Sequence, residues 1–131
     1  MSAEKVIYDL LSKDTELLKK VPKVRIYPSL IPLGTTLPAI AYMLVSSVEQ
    51  TAIGLTTNRR RSRVQVTVAA NTYPQAKEIV SLVEGACNHK QGTFNGVQTD
   101  SVILDSIGAD FRDDDNGTHY STIDFRIAYS D

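Results

Sequence analysis

Hydrophobic and polar residues alternate strictly near the middle of the chain. Val64, Val66 and Val68 fall on one side of an extended backbone, and polar side chains fall on the other. This period of two predicts a half-buried strand from Asn58 to Ala70, whose valine face belongs to a core. Its upstream end carries a cluster of positive charge: Arg59, Arg60, Arg61 and Arg63. The same element is therefore expected to anchor the fold and to present a charged surface.

Two segments place apolar residues at helical spacing. The first covers residues 3–20 and has a plausible break at Ser12 to Asp14, so it predicts one amphipathic helix or two short ones, ended by Pro22. The second follows Thr72, which forms a capping-box pattern with Gln75 and has a proline in its first turn. We expect this second segment to be a well-defined helix.

The remaining segments predict strands. Val24 to Tyr27 is compatible with a short one, and Val97 to Phe111 changes the parity of its apolar positions, which indicates a bulge or a two-faced strand. Asn116-Gly117 favours a tight primed hairpin turn before an alternating strand from His119 to Tyr129. Because helices do not alternate regularly with strands, we predict one α+β domain over residues 1–131. Two amphipathic helices would pack on one face of a mainly antiparallel sheet of about four strands.

The segment from Ala39 to Val45 is apolar at every position. A strand of this composition must be covered on both faces. The domain's own helices would cover one face, and an extra layer of the same chain or a neighbouring subunit would cover the other. Tyr42 and Met43 in this strand are therefore candidates for subunit contact. The polar segment from Ser46 to Thr57 then predicts a long loop or a projecting hairpin arm that leads antiparallel into the arginine strand.

Composition narrows the function classes. The chain has 131 residues, 14 basic and 15 acidic side chains and a formal net charge of -1, so no global charge attracts nucleic acid or an anionic membrane. A single cysteine, Cys87, excludes an internal disulfide and is compatible with a reducing compartment. Charged residues interrupt the apolar amino terminus, and no apolar run reaches membrane-spanning length. We expect a soluble protein with no membrane partner.

Candidate catalytic and metal sites are incomplete. Cys87 and His89 lack a second pair of ligands, and Cys87 belongs to the apolar stripe of a helix. His119 and Ser121 would share one strand face while Asp124 points to the other, which argues against a hydrolytic triad. The run Asp113 to Asp115 lacks both end ligands of a calcium loop, and no glycine-rich phosphate loop occurs. We predict no enzyme activity, no metal and no cofactor.

The arginine cluster has three interpretations: a soluble strand end, phosphate contact or protein contact. The near-neutral net charge and the absence of interleaved aromatic residues argue against nucleic acid. Protein contact is favoured by carboxylates that an arginine could bind in two-point geometry, namely Asp110, Asp113, Asp114 and Asp115. The two patches suggest head-to-tail pairing between copies, with pairing inside one chain as the alternative.

Several segments together resemble the tail-completion proteins of long-tailed bacteriophages. After the amphipathic amino-terminal helix, they are Arg25 to Pro28 with Pro32, Leu37 to Tyr42, Arg63 to Val68, Tyr73 to Ala76 and Asp124 to Tyr129. Their order spans nearly the whole chain. The arginine cluster and the run Asp113 to Asp115 are not part of this pattern, so their interface role is expected on chemical grounds alone.

The resemblance implies a structural protein similar to tail terminators. Such a protein would form a homo-oligomeric ring, typically hexameric, on the head-proximal end of the tail tube, stop tube growth and join tail to head. Its partners would be further copies, the tail tube protein and the head-tail connector, with DNA passing through without sequence-specific binding. We expect it in the virion tail, assembled in the host bacterial cytoplasm. A head-side connector of the same virion is the nearest alternative, and a small nucleic-acid-binding module is the next.

Overall fold

The computed structural model describes residues 2–49 and 59–130. Within these ranges the chain forms three α-helices and one seven-stranded sheet. The helices are α1 (Ser2–Ser12), α2 (Thr15–Leu18) and α3 (Tyr73–Cys87), and the strands are β1 (Ile26–Pro28), β2 (Ala39–Glu49), β3 (Arg59–Ala70), β4 (Lys90–Phe94), β5 (Val97–Ile107), β6 (Phe111–Asp113) and β7 (Thr118–Ser130). The predicted α+β class is confirmed, whereas the count of about four strands is wrong.

The sheet has the order β1-β2-β3-β7-β5-β4, and β6 pairs with the beginning of β7. All pairs are antiparallel except β1 with β2. The arginine strand β3 is central, because β2 pairs along one side of it and β7 along the whole of the other, from Arg59 opposite Ser130 to Ala70 opposite His119. The prediction that the apolar strand and the arginine strand are antiparallel neighbours is confirmed.

The core lies between the sheet and helices α1 and α3, which pack on the same face. Val64, Val66 and Val68 are fully buried there, as the alternation predicted, together with Phe125 and Ile127 of β7. The opposite face of the sheet, called the open face below, carries no helix in the described ranges. The amino-terminal helical segment is divided in two because the Asp14 side chain accepts a hydrogen bond from the Leu17 amide and starts α2.

Local sequence signals fix α3 and the irregularities of β5. The Thr72 hydroxyl oxygen accepts a hydrogen bond from the Gln75 amide at 3.3 Å, while the Gln75 side chain accepts one from the Asn71 amide rather than from Thr72.

Two register shifts, between Thr99 and Ser101 and between Leu104 and Ser106, explain the change of parity in β5. The predicted bulge is therefore confirmed, although the strand ends at Ile107 rather than at Phe111.

The hairpin turn before β7 differs from the predicted primed turn. Four residues connect β6 to β7, and Gly117 adopts a positive φ of 71°, whereas Asn116 does not adopt one. The Gly117 amide donates to the Asp113 carbonyl at 2.8 Å, and the Asn116 side chain accepts from the Thr118 amide. These bonds stabilise a wider turn than the Asn-Gly pair alone indicates.

The predicted loop or arm after β2 begins as strand. Residues 46–49 continue β2 and pair with residues 60–63 of β3, after a register shift between Leu44 and Ser46. This pairing has the form of a β-hairpin. The rest of the predicted loop, residues 50–57, lies outside the described residues.

Candidate interaction surface

The two charged patches lie at opposite ends of the sheet. The arginine end comprises Arg59, Arg60, Arg61 and Arg63 at the start of β3, and the acidic turn comprises Asp113, Asp114 and Asp115 before β7. Arg61 is opposite Ala128, ten residues along β7 from Thr118 at the acidic turn. At about 3.3 Å per strand residue this separation is about 33 Å. The alternative that the two patches pair inside one chain is therefore excluded.

Arg63 is occupied within its own chain. Its Nε atom donates to Oδ2 of Asp124 at 2.8 Å and lies 3.4 Å from the Asp105 carboxylate, and its Nη2 atom forms an ion pair with the same Oδ2 of Asp124. The hydrogen bond with Asp124 raises the pKa of the Arg63 guanidinium further above its already high value. Asp124 is only 2% exposed although it lies on the open face, and its second oxygen, Oδ1, is buried with no hydrogen-bond partner among the described residues. Arg63 therefore stabilises a buried charge.

Further ion pairs neutralise the neighbourhood of Arg63. Nε of Arg126 lies 2.6 Å from Oδ1 of Asp105, which the register shift in β5 leaves beside β7. At the edge of the cluster, Arg59 lies 3.7 Å from Asp100, and both side chains are largely exposed. A pair so exposed contributes little to stability. Sequence reasoning missed Asp100, Asp105 and Arg126, because only the register of three strands brings them to the arginines.

Arg61 is the exposed member of the cluster that makes no ion pair within residues 2–49 and 59–130. It lies on the open face and is opposite Val48, whose side chain is 64% exposed. Met43 lies on the same face of β2 and is 39% exposed. An arginine beside exposed apolar side chains is a composition typical of protein interfaces.

The acidic turn is preorganised and presents its carboxylates outward. The Asp113 side chain is used within the turn, because Oδ1 accepts a hydrogen bond from the Asp115 amide at 3.0 Å. Asp114 is 90% exposed at its side chain and lies 3.8 Å from the exposed Arg112. Asp115 is also exposed. Asp114 and Asp115 are therefore the carboxylates that a partner can reach.

Asp110 has a different environment from the acidic turn. Its carboxylate accepts hydrogen bonds from the Ser121 hydroxyl at 2.7 Å, from Lys77 at 3.2 Å and from the Tyr73 hydroxyl at 3.2 Å. The Ser121 hydrogen bond, followed by Lys77 and Tyr73, holds the pKa of Asp110 below its usual range. Asp110 therefore ties the segment between β5 and β6 to α3 and β7.

Tyr42 and Met43 point to opposite faces of β2. Tyr42 lies on the helix side, 5.8 Å from Tyr8 of α1 between ring centroids, and burial together with Tyr8 and Glu4 raises its pKa. The two tyrosines line a pocket of about 240 Å³, whose full lining is Glu4, Lys5, Tyr8, Pro28, Tyr42 and Asn95. Of the two candidate contact residues, Met43 is therefore on the open face, and Tyr42 belongs to a hollow on the other side of the sheet.

Two of the residues considered for chemistry, Cys87 and Ser121, have structural roles. Cys87 is fully buried, and this burial raises the pKa of its thiol. The Ser121 hydroxyl donates to Asp110, as described above, and not to His119. Among the described residues there is no group of three or more side chains suited to hold a metal ion. Nor does any helix in these residues have the length and apolar character to span a bilayer.

The fold and surface describe a small α+β protein that offers charged and apolar contact patches. Comparison with known proteins gives the family. The model of the family described as "Tail completion protein gp17" matches residues 5–130, so the chain belongs to this family. The resemblance inferred from the sequence is confirmed. Among curated proteins none matches the chain in sequence.

Two solved structures share the fold. A chain of the virion of a native gene transfer agent particle superposes with a TM-score of 0.72 at 14% identity, over 96% of this chain and 92% of that chain. A second solved protein has a TM-score of 0.63 at 12% identity, over 100% of this chain and 97% of that chain. At these identities the likeness concerns the fold.

Proposed function

We propose that this protein is a structural component of the phage virion that closes the head-proximal end of the tail tube. Copies form a ring, expected to be a hexamer, which stops tube growth and provides the surface that joins the tail to the head. Membership of a tail completion family supports this role, as does the shared fold with a chain of a gene transfer agent virion. The protein contributes contact surfaces rather than catalysis.

The observation that carries the proposal is the position of opposite charges at the two ends of one sheet. Arg61 is opposite Val48, and Met43 lies further along the same face of β2. Along the sheet, Arg61 is about 33 Å from Thr118, which follows the turn that carries the exposed Asp114. Two complementary patches at different places on one molecule form a head-to-tail contact, which closes into a ring when the rotation between copies allows. The open face of β2 would then be covered by a neighbouring subunit.

The charge of the arginine end also supports placing these arginines at a seam between subunits or at the rim of the ring. DNA must pass through the ring, and a lining of unpaired arginines would bind its phosphates tightly. Arg59 and Arg63 already lie beside carboxylates of the same chain. The cluster therefore offers a local contact for a carboxylate and does not form an extended basic surface.

The mass of the purified protein in solution tests the ring. We expect light scattering after size exclusion to give a closed oligomer at high protein concentration, and electron microscopy of negatively stained particles to show rings. The variant R61E should shift the equilibrium toward monomer. A wild-type protein that stays monomeric in solution and on isolated tail tubes would contradict the proposal.

The length of tails made without this protein separates a terminator from a head-side connector. If the protein stops tube growth, particles assembled without it should have tails of abnormal and variable length that fail to join heads. Tails of normal length that lack heads would instead support the connector. The tail tube protein and the head-tail connector are the partners to be sought by cross-linking in intact virions.

A further inference from the structure

The loop between β1 and β2, residues 29–38, exposes apolar side chains to solvent. Leu33 is 99% exposed and Leu30 is 77% exposed, which makes Leu33 the most exposed large hydrophobic side chain of the described residues. The whole segment from Ser29 to Pro38 contains no charged residue. A loop that serves only as a solvated connection is usually polar, so this composition indicates a partner with an apolar surface.

This loop is held in a defined shape. The Thr35 hydroxyl donates to the Pro32 carbonyl at 2.6 Å, and the Ser29 amide donates to the Tyr42 carbonyl at 2.8 Å. Arg25 donates to the carbonyls of Thr36 and Pro38 at 3.3 and 3.4 Å. Because these bonds fix the loop at both ends, binding through Leu33 would cost little conformational entropy.

The same chain carries a hollow that matches this side chain. The pocket between α1 and β2 has a volume of about 240 Å³, and its apolar part is formed by Tyr8, Tyr42 and Pro28. An apolar cavity of about 150 Å³ holds a benzene-sized ligand, so a leucine side chain fits here. Glu4 and Lys5, which carry opposite charges, also line the pocket. Because the loop is uncharged, its entry would bury no additional charge there. Leu33 does not fill the pocket of its own chain, because it is fully exposed.

We propose that Leu33 of one copy inserts into the Tyr8–Tyr42 pocket of a second copy. This inference rests on the ring of the proposed function and names one of its contacts. Each copy carries one projecting leucine and one pocket, so each copy can give its leucine to one neighbour and accept a leucine from another, which is the head-to-tail arrangement that a ring requires. A neighbouring copy is the partner, since the uncharged apolar loop and a pocket large enough for its leucine are carried by the same chain.

Disulfide trapping between two variants that each carry one added cysteine tests this contact. L33C and K5C place thiols on the loop and at the pocket, and V24C is the matched control, because Val24 is also 79% exposed but lies outside the loop. The native Cys87 is buried and will not compete. After mild oxidation, an equal mixture of L33C and K5C should give a heterodimer on a non-reducing gel, and a mixture of V24C and K5C should give none.

The outcomes distinguish a failure of the pocket contact from a failure of the proposed ring. If the mixture of L33C and K5C forms rings but no cross-link, the pocket contact is wrong and the ring stands. If L33C cross-links mainly to itself, the loops meet each other and the head-to-tail contact is wrong. If no oligomer forms at any concentration or on tail tubes, both proposals fail. As an independent measurement, L33A should weaken self-association by on the order of tenfold or more, and V24A should not.

Discussion

The Arg63 guanidinium and the Asp124 carboxylate form a hydrogen-bonded ion pair across the central pair of strands, with Nε 2.8 Å from Oδ2 and Nη2 paired with the same oxygen. Asp124 is almost completely buried, so Arg63 supplies the counter-charge that keeps this carboxylate in the folded sheet. The arginine cluster therefore contains two kinds of residue. Arg63 belongs to the structure of the monomer, whereas Arg61 is available to a partner.

This division predicts different outcomes for two charge reversals. R63E should lower the thermal midpoint clearly, because a second carboxylate would face the buried Asp124. R61E should leave the free energy of unfolding within about 0.5 kcal/mol of the wild type, as is usual at an exposed site. Thermal unfolding followed by circular dichroism measures both. Equal stability of the two variants would show that Arg63 does not support Asp124.

The valine face of β3 predicts a core effect. V66D should destabilise the monomer by about 3–5 kcal/mol or prevent folding, because Val66 is fully buried and has no partner for a charge. T67D is the matched control, since Thr67 is the next residue and points to the open face. Urea denaturation gives the difference. A V66D protein as stable as T67D would remove Val66 from the core.

Asp110 predicts a dependence of stability on acid pH. Its pKa in the folded protein is lowered, chiefly by the Ser121 hydrogen bond, so its charged form is favoured by folding. The resulting stability is present above the unfolded pKa of about 3.9 and is lost as the pH falls through the lower folded pKa. D110N should therefore be less stable than the wild type at pH 7, and the difference should shrink below about pH 4. Urea midpoints between pH 7 and pH 2 measure it, and a constant difference would contradict this role.

Long periodic elements were predictable from the sequence, whereas short ones were predictable only in part. The strand β3, the strand β7 and the helix α3 each repeat their pattern often enough to define a face. The strand β1 has three residues, and the sequence indicated it only as a segment compatible with a strand, Val24 to Tyr27. The strands β4 and β6, with five and three residues, are too short for a period to be recognised and were not predicted.

For the candidate interaction surface, the sequence predicted which residues are charged but not where the fold places them. The charged character of Arg61 and Asp114 could be read from the chain, but their separation at opposite ends of the sheet required the strand order. Asp124 was expected to face outward and does, yet Arg63, 61 residues away along the chain, covers it. The projecting Leu33 was hidden in a segment rich in proline, because a loop pattern does not reveal which side chain it exposes.

Mixing two charge-reversed variants tests the head-to-tail ring most directly. R61E removes the basic patch and D114R removes an acidic one, so each variant alone should lose self-association. Mixed in equal amounts, their copies can alternate, because each junction then joins one basic and one acidic side chain. Light scattering should therefore give monomers for each variant and an oligomer with an even number of copies for the mixture. A mixture that stays monomeric while the wild type assembles would show that these two patches do not meet.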